Sequence, residues 1–170
     1  MSTPLLQVED LRVTFDIPRE GAMPWAEPQH LRAVNGVSFT LEAGRTLGIV
    51  GESGCGKSTL ARALIRMLPA EGKVLWQGET DLLSLTPRQM LRYRSDIQMI
   101  FQDPLASLNP RMTVGDIIAE PLRTHRPDIR GKERQARVKA AMERVGLLPN
   151  QVNRYPHEFS GGQCQRIGIA

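Results

Sequence analysis

Gly51, Glu52, Ser53, Gly54, Cys55, Gly56, Lys57 and Ser58 fit the pattern G-x-x-x-x-G-K-[ST] in full, and Thr59 follows as a further hydroxyl. The chemistry this spacing can do is phosphate binding. Glycines permit backbone angles that turn successive N–H groups inward, and a following helix aims the positive end of its dipole at the same point. Lys57 can then reach the β and γ phosphates of a nucleotide, the Ser58 hydroxyl can ligate Mg²⁺, and Thr59 adds a donor near the first helical turn. Alone, Lys57 would read as an exposed helix lysine and the glycines as a turn. Their position between an apolar stretch and an amphipathic one makes a nucleotide-phosphate site the better reading. Cys55 is either a small residue that fits the loop or a thiol acidified by nearby N–H groups and Lys57. The motif does not choose between ATP and GTP, nor between kinase, GTPase, motor and transporter.

The elements that must position this loop can be read from periodicity. Leu6, Val8, Leu11, Val13 and Phe15 alternate with polar residues as in a half-buried strand, and Val37, Phe39 and Leu41 repeat the pattern within 34–41. Between them, 16–30 carries Pro18, Gly21, Pro24 and Pro28 and reads as an irregular loop, with Trp25 as a loop anchor or a contact for another subunit. Residues 46–50 are expected to be a short apolar strand entering the phosphate loop. Residues 57–68 have Leu60, Ala61, Leu64, Ile65 and Leu68 at helical spacing, closed by Pro69. A short strand over 73–76, a turn at Gly78, a short helix with Thr86 as its cap and Pro87 in its first turn, reaching about Tyr93, and a core strand over 97–101 are expected next. Beyond Gln102 the texture changes: 103–111 is turn-rich, 113–120 and 132–145 read as helices, and 149–156 is a connection. This predicts a nucleotide-binding core over 1–102 and a helical subdomain over 103–170.

Composition bounds the remaining choices. The chain has 170 residues with 22 Lys plus Arg against 18 Asp plus Glu, a formal charge of +4. That length suits one compact domain, and the charge excess is ordinary. No run of adjacent cations argues for nucleic acid. The two cysteines form no disulfide framework, and no stretch reaches the length that crosses a bilayer. Arg166, Ile167, Gly168, Ile169 and Ala170 end the sequence on an apolar run, which is read as a truncation.

Phe159, Ser160, Gly161, Gly162 and Gln163 form a second glycine-bearing turn, with a helix expected behind it. Ser160 can cap that helix, and the N–H groups of Gly161 and Gly162 could meet another anion. The residues alone leave a helix cap and a ligand or partner surface both open.

With these two motifs the chain resembles the ATP-binding subunits of ABC transporters, whose signature is usually Leu-Ser-Gly-Gly-Gln; residues 159–163 match it with Phe in first place. The resemblance spans nearly the whole chain. It implies an α/β P-loop NTPase of the ABC type, its N-terminal portion having a mixed or parallel sheet core and a helical subdomain. It implies a head-to-tail dimer with a second ABC ATPase subunit, in which Ser160, Gly161, Gly162 and Gln163 serve the partner's ATP. Gln102, within Met99, Ile100, Phe101, Gln102 and Asp103, resembles the glutamine that contacts Mg²⁺ or the attacking water and reports occupancy to the membrane subunits. Phe15 matches the aromatic that stacks on adenine, with a core Phe as the competing reading. The phosphate site, Gly51, Ser53, Gly54, Cys55, Gly56, Lys57, Ser58 and Thr59, would hold ATP.

A narrower resemblance, to dipeptide and oligopeptide importer ATPases, rests on 51–59, on Phe101 to Pro110 and on Arg154, Tyr155, Pro156, His157 and Glu158. It implies a peripheral subunit at the cytoplasmic face of a bacterial inner membrane. Its partners would be two membrane-spanning permease subunits, and indirectly a solute-binding protein. Nickel, glutathione and other small solutes are handled by related members, and a non-catalytic nucleotide-binding regulator is the other reading kept open. Residues 103–121 would form much of the surface receiving the permease. Cys164 departs from the long polar residue usual after the signature glutamine, a change that either weakens dimer closure or a local contact, or is neutral. The Mg²⁺-coordinating Asp, the water-polarising Glu, the Asp-bearing dimer loop and the switch His of the family have no counterpart here, since His157 precedes the signature. The expectation is therefore weak nucleotide binding and little sustained ATPase activity from this stretch alone.

Overall fold

Alternating burial along the first two strands builds the sheet. In the computed structural model, which describes residues 3–18, 21 and 29–170, β1 (Leu6–Ile17) pairs antiparallel with β2 (Gln29–Leu41) and with β3 (Glu71–Trp76). A short β4 (Thr80–Asp81) extends the four-stranded sheet, in the order β2-β1-β3-β4. Val8, Leu11 and Val13 of β1, Val34 of β2 and Val74 of β3 are buried. Val8 stands opposite both Phe39 and Val74, and Val13 opposite Val34, so each shares a sheet face with its ladder partners. Helix α1 (Lys57–Leu64) buries Leu60 and Ala63 and packs against β1 and β2. Helix α2 (Pro87–Met90) begins at Thr86, whose capping box with Gln89 confirms the Thr-Pro start.

The chain divides into two compact units, Met1–Leu91 and Arg92–Ala170. In the second, α3 (Pro104–Ser107), α4 (Val114–His125), α5 (Gly131–Arg144) and α6 (Gly161–Ile169) enclose a core of Leu108, Val114, Ile118, Val138, Met142, Leu147, Phe159 and Ile167. Thr113 caps α4, and hydrogen bonds from Arg123 and then Thr113 hold the Asp116 carboxyl below the usual carboxylate range. The first N–H groups of α4 are used: Val114 donates to Arg154 O and Gly115 to Val152 O, each at 2.8 Å. Met142 is 0% exposed at the centre of this core. Met142→Ala should cost about 2–5 kcal/mol of stability, read from urea unfolding of the two proteins side by side.

Several expectations are corrected. Residues 46–50 form no strand; Leu47, Ile49 and Val50 are exposed, Val50 at 92%. Residues 97–101 form none either, and Ile100 is 60% exposed. Both are apolar enough for a doubly covered parallel strand, but such a strand exists only when neighbours pair with it, and among the described residues none does. The sheet that does form is wholly antiparallel. The helix after the phosphate loop ends at Leu64, not Leu68. Arg66 takes a left-handed φ of 55°, and Arg66 N–H to Ala63 O and Met67 N–H to Arg62 O close a Schellman turn. Helix α4 runs through Pro121 to His125, beyond the expected end at Glu120. In the expected 16–30 loop, Asp16 and Ile17 pair with His30 and Gln29 as strand; Pro24, Trp25 and Pro28 lie outside the described residues. Among the described residues no helix is long and apolar enough to cross a membrane.

Candidate functional site

The phosphate loop begins its helix at Gly56, the N-cap of α1, with φ 95° and ψ 3°. Its φ lies in the range that favours glycine, and a Cβ there would fall well inside contact distance of the Ala33 carbonyl oxygen of β2. The loop is therefore seated on the sheet through a position that admits no side chain. Cys55 N–H donates to Glu52 O at 3.4 Å, and Leu60 N–H to Gly56 O at 2.8 Å, so a turn passes directly into the helix. Lys57 Nζ donates to Gly51 O at 2.8 Å and to Glu52 O, with Cys55 Sγ at 3.6 Å. This places the ammonium over the loop it follows. Gly51, Ser53, Gly54 and Cys55 are exposed, as is Ser58, while Thr59 is half-buried. Neither the Ser58 nor the Thr59 hydroxyl has a hydrogen bond to another described residue. An anion arriving here would meet an ammonium, a helix N-terminus and free hydroxyls.

Phe15 lies on β1 opposite Leu31 and is half-buried, outside the buried core. Gln102 is exposed and belongs to the second unit, just ahead of Asp103, whose carboxylate caps α3 by accepting from Leu105 N–H at 3.0 Å and Ala106 N–H at 3.1 Å. Within that unit a groove of about 520 Å³ is lined by Met99, Phe101, Leu108, Ile117, Pro121 and Ile167 among others.

The signature turn is a capping box. Ser160 Oγ accepts from Gln163 N–H at 3.3 Å, and Gln163 Oε1 accepts from Ser160 N–H at 2.9 Å. Gly161 and Gly162 are exposed, and a Cβ on either would meet nothing within 4 Å. The chain's own packing does not require glycine at either place. Phe159 is buried beneath the turn. Upstream, Tyr155 stacks on His157 at 5.8 Å, and Glu158 Oε2 accepts from Tyr155 N–H at 2.7 Å. Cys164 is 0% exposed in the core of its unit; its thiol reaches Pro156 O at 3.4 Å, and burial pushes its pKa up. This residue faces inward, so its identity bears on packing and not on a surface contact.

The phosphate loop and Phe15 thus stand in the first unit, Gln102 and residues 160–163 in the second. The anchoring of Gly56 on Ala33 and an Arg166 contact with Gly146 have no local sequence signal, because each joins residues at least 20 positions apart. Among the described residues no cluster of three His, Cys, Asp or Glu could hold a metal. The oxygens that sequence reasoning gave to Mg²⁺, a Ser58 hydroxyl and a Gln102 amide, are hard donors of the kind Mg²⁺ takes when phosphates and water supply its other ligands.

The family described as ABC transporter matches residues 34–170. Among similar curated proteins, the oligopeptide transport ATP-binding protein OppF of Salmonella typhimurium is 61% identical over 167 residues, covering 98% of this chain and 50% of that protein. Its namesake in Escherichia coli is 60% identical with the same coverage, and that of Bacillus subtilis is 49% identical over 171 residues, covering 100% of this chain and 53% of that protein. The chain spans about half the length of the curated relatives it matches. Of solved structures, the ATP-binding cassette MJ0796 in a dimeric post-hydrolysis state with ADP and Pi superposes with a TM-score of 0.82 at 24% identity, covering 96% of this chain and 67% of that one. A likeness at that identity speaks for the fold.

Proposed function

The chain belongs to the ABC transporter family, and on that premise we propose that it is the nucleotide-binding part of an ATPase subunit that powers oligopeptide uptake. The observation that carries the reading is the phosphate loop, with the Lys57 ammonium held over Gly51 and Glu52 at the start of α1. Those two neutral carbonyls are weak partners for a cation. A nucleotide's β and γ phosphates outcompete them, and Lys57 exchanges onto charged oxygens at little cost to the fold. Ser58 and Gln102 would hold Mg²⁺, which offsets charge on the phosphate oxygens when bound. Gly51, Ser53, Gly54, Cys55, Gly56 and Thr59 cradle the phosphates, and Phe15, half-buried on β1, offers a ring face to adenine.

Residues 160–163 serve a second subunit's ATP. Gly161 and Gly162 are glycines that their own unit does not need, which is the arrangement expected where another molecule must approach the backbone. A Gly161→Ala, Gly162→Ala double variant should therefore fold at least as stably as the parent, gaining at most about 2 kcal/mol, yet lose ATP-driven dimerisation. Chemical unfolding paired with size-exclusion chromatography in MgATP separates the two effects.

The division proposed is a nucleotide-binding core over 1–102 and a helical subdomain over 103–170. The groove beside Gln102 suits the apolar contact surface of a permease, through which occupancy would be reported to two membrane-spanning subunits and, beyond them, to a solute-binding protein. The subunit would then lie peripherally on the cytoplasmic face of a bacterial inner membrane. The oligopeptide assignment is supported by relatives at 61% and 60% identity that carry that name. Deleting the gene from an amino-acid auxotroph should abolish growth on oligopeptides containing that amino acid. The wild-type gene should restore growth and Lys57→Ala should not. Undiminished growth of the deletion strain on every such peptide would remove the oligopeptide reading.

A further inference from the structure

One exposed side chain ties the first turn of the signature helix to a neighbouring helix. Arg166 Nε donates to Gly162 O at 3.4 Å, and Arg166 Nη1 donates to Gly146 O at 3.3 Å. Gly162 is the second residue of α6, and Gly146 follows the C-cap of α5. The receiving end is well defined. Gly146 N–H donates to Glu143 O at 3.0 Å and Leu147 N–H to Met142 O at 2.9 Å, a Schellman motif made possible by a Gly146 φ of 72°. A cation is favoured there by the partial negative charge at the C-terminus of α5. A Cβ on Gly146 would lie 3.3 Å from Arg166 Nη1, so the glycine also leaves room for the guanidinium.

The geometry points to Arg166 as a positioning residue that fixes the direction in which Gly161 and Gly162 face, an inference that rests on reading those glycines as the clamp for a partner's nucleotide. Arginine suits this task because its planar fork presents donors to two carbonyls at once, whereas a lysine ammonium is a point donor on a flexible stem. The contacts are long and exposed, so they contribute little to folding. Folding of α6 rests instead on the opposite side of the helix, where Cys164 and Ile167 are buried. Removing Arg166 should therefore loosen the aim of the glycine turn without unfolding its helix, and small misplacements of a clamp are costly to catalysis.

The test uses the native-length subunit and three variants: Arg166→Ala, Arg166→Lys and the Gly161→Ala, Gly162→Ala pair. Steady-state ATPase kinetics, MgATP-dependent dimerisation and thermal unfolding are measured together. Arg166→Ala and Arg166→Lys are expected to lower kcat by about tenfold or more, with KM for ATP within about twofold and the melting temperature nearly unchanged. A lysine variant with the parent kcat would overturn the two-carbonyl fork. An Arg166→Ala loss matched by a large fall in melting temperature would assign Arg166 to stability alone. If Arg166→Ala keeps the parent kcat while the glycine pair abolishes dimerisation, the positioning role falls and the signature reading stands. If the glycine pair also dimerises normally, both fall.

Discussion

Lys57→Ala should weaken MgATP binding by about 100-fold, roughly 2.7 kcal/mol, while leaving the fold intact. The hydrogen bonds that Lys57 makes among the described residues are all within its own loop, to the exposed carbonyls of Gly51 and Glu52 and, at 3.6 Å, to Cys55 Sγ. Losing them costs little, because water replaces the ammonium at both oxygens. Losing the ammonium from the proposed triphosphate site costs far more: no other cationic side chain occurs in the sequence between Arg45 and Arg62, so no other residue of the loop itself makes good the charge. An equilibrium titration with a fluorescent ATP analogue, with circular dichroism recorded on the same samples, checks both halves of the expectation. Affinity unchanged in a folded variant would remove the phosphate-loop assignment.

How far the sequence anticipates this arrangement depends on whether each feature is local. The caps at Thr86 and Ser160 lie within three residues of their partners Gln89 and Gln163, so spacing alone reveals them. The alternation in β1 likewise survives folding, since Val8, Leu11 and Val13 are buried in a row that the apolar pattern already marked. Residues 46–50 show the opposite case. Their apolar content announces burial, but burial of a central strand is decided by segments that pair with it from elsewhere in the chain, and periodicity carries no information about those. The two helix ends make the contrast sharper. Gly146 advertises the Schellman turn after α5, whereas the same turn after α1 is built on Arg66, a residue type that gives no warning of a left-handed φ. Residue types and spacing in the phosphate loop likewise point to the chemistry it can do. What holds the loop in place is a contact with β2 that no motif contains.

That contact makes Gly56→Ala the variant expected to do the most damage to both stability and binding. Alanine at this position would have to keep φ 95° and ψ 3°, a left-handed conformation that disfavours a Cβ by about 1–2 kcal/mol. The added methyl would also collide with the Ala33 carbonyl oxygen. Neither side can yield cheaply: Ala33 belongs to β2, whose neighbours Arg32 and Val34 are paired with Thr14 and Val13 of β1, and Gly56 O receives the first intrahelical bond of α1 from Leu60 N–H. Moving the loop away from the sheet would carry Lys57 and Ser58 with it, so the strain is not confined to one residue. The expected result is a loss of about 3 kcal/mol or more in urea unfolding, strain and overpacking acting together, with no saturable MgATP binding in whatever fraction remains folded. Lys57→Ala provides the contrast, since it removes phosphate affinity from a stable protein. If Gly56→Ala unfolded like the parent and bound nucleotide like the parent, the loop would not be seated on β2 in the way this structure describes, and the link between sheet and phosphate site would have to be sought elsewhere in the fold.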